Sequence, residues 1–141
     1  MFDIVPITSR KPTDCGATCM KMLLSYYGQD VPLEQLVEEC NTKITGCTGK
    51  DLIRCGKLHG LDMKAYSATA EDIMESDRPE IVWWMYNHWV IYGGLDEDGK
   101  VVIYNPDRGR YRVSKSTFAS FFTNISLRAE NDPVGTDGEE A

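Results

Sequence analysis

A cysteine, a histidine and an asparagine stand in an order that suits thiol chemistry: Cys15, His88 and Asn105. Cys15 opens an apolar stretch in which Ala17, Met20, Leu23, Leu24 and Tyr27 recur at helical spacing. A cysteine in the first turn of a helix faces unpaired backbone N–H groups and the positive end of the dipole. That setting favours the thiolate, the form that attacks carbonyl carbon. Asp14 is the expected N-cap of the helix and Gly28 its stop. His88 lies in the strand-like run Asn87-His88-Trp89-Val90-Ile91-Tyr92, where an imidazole can act as a base. Asn105 ends a second run, Val101-Val102-Ile103-Tyr104, and its amide can orient the base, with Asp107 in reserve. A nucleophile, a base and an orienting group predict covalent catalysis at a carbonyl.

The remaining candidates have plainer explanations. Cys19 lies one turn after Cys15 and reads as packing. Cys40, Cys47, Cys55 and His59 offer metal-ligand types, but their spacings lack the tight two-residue knuckles of structural zinc sites, so no metal is predicted. His59 precedes Gly60 at a helix end, a position that stabilises positive charge. Trp83, Trp84 and Trp89 read as strand core that partly lines a cleft.

The elements that must position these groups divide into two textures. Residues 1–13 read as extended, because Pro6 and Pro12 discourage a helix. Helices are predicted over about 15–27, after Pro32 (Leu33, Leu36, Val37), and over 49–59 with Thr48 as cap. From residue 61 the chain turns to strands: 61–66, 80–86, 87–94, 100–104 and 124–128, rich in β-branched and aromatic residues. Thr69-Ala70-Glu71-Asp72 reads as a capping box opening a short helix, and Asp96-Glu97-Asp98-Gly99 as a hairpin turn. A last helix is expected over about 114–122. Helices first and an antiparallel sheet afterwards describe an α+β domain. Alternation groups His88 with Val90 and Tyr92, and that face is expected to meet the cysteine helix.

Composition bounds the rest. The 141 residues suit one domain, 1–129, with an acidic and disordered tail over 130–141. Of 22 acidic residues, five lie in that tail, leaving 17 against 15 basic groups elsewhere. A pI of 4.8 and the lack of a basic face argue against nucleic acid. No run has the length of a membrane span or the form of a signal peptide, so a cytoplasmic chain without membrane insertion is expected. Five cysteines, an odd count, fit free thiols better than a disulfide framework.

Three segments also carry a resemblance. Thr13-Asp14-Cys15-Gly16-Ala17-Thr18-Cys19 and the helix that follows to Gly28 resemble the peptidase domain that trims double-glycine leader peptides from bacteriocin precursors. His88-Trp89-Val90-Ile91-Tyr92 is similar to that family's histidine strand, and Tyr104-Asn105-Pro106-Asp107-Arg108-Gly109 to its third catalytic segment. The likeness runs from about residue 5 to residue 125. It implies a papain-like fold, with N-terminal helices packed on a C-terminal antiparallel sheet. It further implies cleavage after two small residues, no cofactor, a peptide or precursor-protein substrate, and a separate membrane transporter as partner. Two positions depart from the family. Ser9 stands where a glutamine usually helps hold the oxyanion, and Asn105 where aspartate usually orients the histidine. Residues 9–11 must then supply the oxyanion donor. Two alternatives stay open: a weak or inactive peptide-binding module of the same fold, and a papain-like acyl transferase or deamidase.

Overall fold

The computed structural model describes residues 1–131. A short 3-10 turn, Pro12–Asp14, leads into α1 (Cys15–Tyr26), followed by α2 (Leu33–Glu39) and α3 (Gly49–Leu58). The chain then runs through β1 (Met63–Ser67), α4 (Ala70–Met74), β2 (Glu80–Trp84), β3 (His88–Leu95), β4 (Val101–Asn105), β5 (Gly109–Val113), α5 (Lys115–Phe121) and β6 (Phe122–Ala129). The six strands form one antiparallel sheet in the order β1-β6-β2-β3-β4-β5. Helices on an antiparallel sheet bear out the expected α+β class.

Local chemistry explains most element ends. Thr48 and Asp51 form a complete capping box at α3, and Thr69 and Asp72 another at α4. The β3–β4 hairpin is closed by Asp96, whose Oδ1 accepts from the Asp98 and Lys100 N–H groups. Asp14 differs from expectation. It is the last residue of the 3-10 turn, its N–H donates to the Lys11 carbonyl, and its side chain caps nothing in α1. Strand β5 is absent from the sequence reading. Its alternating exposure marks an edge strand, with Arg110 and Arg112 outward, and that polarity disguises it.

Two apolar layers flank the sheet. On one side β3 turns Trp89 and Ile91 toward α1, joined by Val102, Tyr104 and Leu127. On the other, Val90, Tyr92, Val101 and Ile103 pack with Ile73 of α4 and Phe118 of α5. The expectation that the face carrying Val90 and Tyr92 meets the cysteine helix is therefore reversed. α1 buries nine of its twelve residues, so it is the spine of the larger layer. The first two residues of the expected tail, Glu130 and Asn131, still bond the domain: the Glu130 N–H donates to the Asp62 carbonyl, and Asn131 Nδ2 to the Gly60 carbonyl. Residues 132–141 lie outside the described residues. Among the described residues no helix is long and apolar enough to cross a membrane.

α1 packs so closely at Gly16, above all against the Cys47 side chain, that no side chain fits. A Cβ there would lie 2.3 Å from Cys47 Sγ and 3.3 Å from both Leu52 Cδ2 and Trp89 Cδ1. Gly16→Ala should therefore destabilise the domain by about 1–3 kcal/mol, the usual cost of overpacking a tight contact. Urea unfolding of the two proteins checks this; an unchanged midpoint would contradict the close approach.

Candidate active site

Cys15 begins α1 at the seam between helix and sheet and is 7% exposed. Its sulfur accepts hydrogen bonds from the backbone N–H groups of Trp89 and Gly16. These bonds favour the thiolate, yet burial has the larger effect and pushes the thiol up, with Cys47 and Asp107 adding to the rise. The lowered thiol expected at a helix start is thus not what the resting site holds. With the sulfur out of water, two N–H donors do not offset desolvation.

His88 is the first residue of β3, directly before the Trp89 whose N–H meets the thiol. Its Nε2 donates to Asn105 Oδ1 at 2.8 Å and lies 3.5 Å from Asp107 Oδ2. Asn105 is buried and held from three sides. Its Oδ1 also accepts from the Asp107 N–H at 2.9 Å, and its Nδ2 donates to Tyr111 Oη at 3.2 Å. Those partners set which way the amide points, so oxygen faces the imidazole. A histidine that donates through Nε2 carries its free lone pair on Nδ1.

The turn that aims Asn105 joins β4 to β5. The Arg108 N–H donates to the Asn105 carbonyl, and Gly109 takes φ +84°, a conformation that disfavours side chains. Ser9 is tied to the same turn: its N–H donates to the Pro106 carbonyl at 2.9 Å, and its hydroxyl to the same oxygen at 3.4 Å. Ser9 therefore sits beside the Asn105 turn with its hydroxyl already engaged.

Beside the imidazole lies a cleft of about 450 Å³ walled by Trp84, Met85, His88, Asn105, Tyr111 and Phe121. Cys15 is not one of its walls. Met85 and Tyr86, both exposed, hold φ of 55° and 63° in the β2–β3 turn beside it. Left-handed backbone costs an L-residue about 1–2 kcal/mol, so this apolar turn is maintained against its own preference.

Of the sequence-predicted residues, His88, Asn105 and the reserve Asp107 are in contact, and Cys15 meets the backbone of the residue after His88. Sequence reasoning missed Tyr111, which stands on the unrecognised β5, and the Met85-Tyr86 turn. The alternation of Gly109-Arg110-Tyr111-Arg112-Val113 was the signal for Tyr111. Cys19, read as packing, is fully buried and its thiol donates to the Trp89 carbonyl.

The family model described as the Peptidase C39 family matches residues 4–133. Among curated relatives, the colicin V secretion/processing ATP-binding protein CvaB of Escherichia coli is 23% identical over 124 residues, covering 87% of this chain and 18% of that protein. The lactococcin-G-processing and transport ATP-binding protein LagD of Lactococcus lactis is 28% identical over 120 residues, covering 81% and 17%. The chain thus spans under a fifth of the length of these relatives. Among solved structures, a double glycine motif protease from an AMS/PCAT transporter, in complex with its leader peptide, superposes with a TM-score of 0.85. It is 28% identical and covers 89% of this chain and 90% of that one. The peptidase domain of Streptococcus ComA, a bi-functional ABC transporter, gives a TM-score of 0.81 at 20% identity, with 93% and 100% covered. The papain-like architecture of these peptidase domains is the architecture seen here, and the chain belongs to the Peptidase C39 family of cysteine peptidases.

Proposed function

We propose that this domain removes leader peptides by cleaving after two small residues of the double-glycine type, with Cys15 as nucleophile, His88 as base and Asn105 as orienting group. The observation that carries this reading is the clamped pair His88–Asn105, which leaves Nδ1 with the free lone pair, in the residue directly before the Trp89 whose N–H meets the Cys15 sulfur. In this mechanism Nδ1 takes the Cys15 proton and the sulfur attacks the peptide carbonyl. The Cys15 backbone N–H and a donor from residues 9–11 hold the oxyanion. The C–N bond breaks as His88 returns the proton to the leaving amine. Water, deprotonated by His88, then hydrolyses the thioester to a carboxylate. The relatives' names speak of processing together with transport, which supports a peptide precursor as substrate and a membrane transporter as partner.

A second reading, a peptide-binding module with weak catalysis, is favoured by Ser9, whose hydroxyl is engaged by Pro106. A panel of Gly-Gly and Gly-Ala leader peptides, with products identified by mass, tests both. New termini after the second small residue, absent for Cys15→Ala, support the peptidase. Binding without products supports the module, and transfer of the acyl group to an added amine supports the transferase alternative.

Three outcomes follow from the geometry. Asn105→Ala should lower kcat about 10²-fold by freeing the imidazole, whereas Asn105→Asp should retain most activity because a carboxylate can take the same bond. Equal losses in both variants would remove the orienting role. Since burial raises the Cys15 thiol, its protonated form prevails at neutral pH. Iodoacetamide modification of Cys15 should therefore accelerate with rising pH, with a midpoint above an ordinary thiol. A midpoint below neutrality would indicate a preformed ion pair instead. Loss of one oxyanion donor costs about 10²–10³ in turnover, so Ser9→Gln should raise kcat with little change in KM. An unchanged kcat would show that residue 9 does not reach the oxyanion.

A further inference from the structure

The C-terminal ends of α2 and α3 bring together a set of metal-ligating side chains away from the candidate cleft. Glu39 closes α2, while Cys55 and His59 stand four residues apart at the end of α3, on one helical face. A carboxylate oxygen of Glu39, the sulfur of Cys55 and a ring nitrogen of His59 all lie within 4.8 Å of one another. His59 Nε2 and Glu39 Oε1 are 2.6 Å apart. A fourth candidate adjoins them. Cys40, next to Glu39, has its thiol in hydrogen-bonding contact with those of Cys47 and Cys55. Cys40 and Cys55 are fully buried, whereas the Glu39 side chain keeps 25% of its surface in solvent. Soft ligands lie inside and an oxygen at the mouth.

We propose that Glu39, Cys40, Cys55 and His59 form a binding site for a single Zn²⁺-type divalent cation. The donor set of two sulfurs, one imidazole and one carboxylate is the kind that selects Zn²⁺ over Mg²⁺ or Ca²⁺, which take oxygen ligands. Around tetrahedral zinc, bonds of 2.0–2.3 Å put ligand atoms about 3.3–3.8 Å apart. The ligand atoms of Glu39, Cys55 and His59, already within 4.8 Å of one another, close on the ion by side-chain adjustment, and Cys40 completes the set from its contact with Cys55. Binding releases the Cys40 and Cys55 thiol protons, and the proton shared between His59 and Glu39 leaves Nε2 for Nδ1 or for water. The sequence expectation of no metal rested on loop spacings. It missed Glu39, and it did not see that α2 and α3 supply the ligands as two helix ends rather than as knuckles. The ion would join α2 to α3 at the base of residues 41–48. That loop carries Cys47, whose carbonyl accepts from Trp89 Nε1 and whose sulfur abuts Gly16 beside Cys15. The proposal is independent of the peptidase reading.

The test uses the whole chain, stripped with a chelator, kept reduced, and titrated first with Zn²⁺ and then with Co²⁺. The account expects one equivalent of Zn²⁺, a higher Tm, and a Co²⁺ form with tetrahedral ligand-field bands and thiolate charge transfer. Cys55→Ser and His59→Gln should each weaken binding at least about 100-fold. Glu39→Gln, a near-isosteric change at a partly exposed position that leaves the fold intact by circular dichroism, should weaken it at least about 10-fold. Cys15→Ala and His88→Gln should bind the ion unchanged. Three results would overturn the proposal: no saturable uptake, uptake lost with Cys15→Ala or His88→Gln, or wild-type affinity in folded Glu39→Gln.

Discussion

Trp89 joins the helical layer to the sheet, and the candidate site depends on that junction. Its N–H donates to the Cys15 sulfur, its carbonyl accepts from the Cys19 thiol, and its indole N–H donates to the Cys47 carbonyl. Its ring packs on Trp83 with centroids 4.6 Å apart and closes against Gly16 and Gly49. One residue thus sets the distance and register of α1 on β3. His88 is the residue directly before it in the strand, so the candidate base inherits its position from the same contacts.

The other half of the site is positioned by a turn rather than by a layer. Asn105 has little freedom, because the Asp107 N–H and the Tyr111 hydroxyl hold both ends of its amide. Asparagine in place of aspartate suits a buried position, since it supplies the acceptor for Nε2 without a buried charge. Asp107, more exposed and 3.5 Å from Nε2, provides the negative charge from the rim. The thiol shows the opposite balance: burial prevails over its two backbone donors. In the proposed mechanism the imidazole, rather than the helix start alone, makes the thiolate.

Features written in local chemistry were legible in the sequence. The Thr48 and Thr69 capping boxes, the Asp96–Gly99 turn and the apolar face of α1 each depend on residues a few positions apart. Cys15, His88 and Asn105 stood out as candidates because each sits at an element boundary that such signals mark. What escaped depends on distant pairings. The insertion of β6 between β1 and β2 has no local signature, and the edge strand β5 conceals its alternation behind two arginines. The face of β3 that meets α1 was misjudged because the preference of Trp89 for the larger core outweighs the placement imagined for His88. Asp14 failed as a cap because the preceding 3-10 turn draws its backbone away from cap geometry. The contact between Glu39 and His59 spans twenty residues, and only the packing of α2 on α3 brings the two together.

The central claim is that an acyl group passes through the Cys15 sulfur. Its most direct test is rapid acid quenching of a double-glycine leader peptide during turnover, followed by intact mass and peptide mapping. The account predicts one thioester, on Cys15, that is absent in His88→Ala. Cleavage proceeding with no adduct on Cys15, or with the acyl group on Cys47, would contradict it.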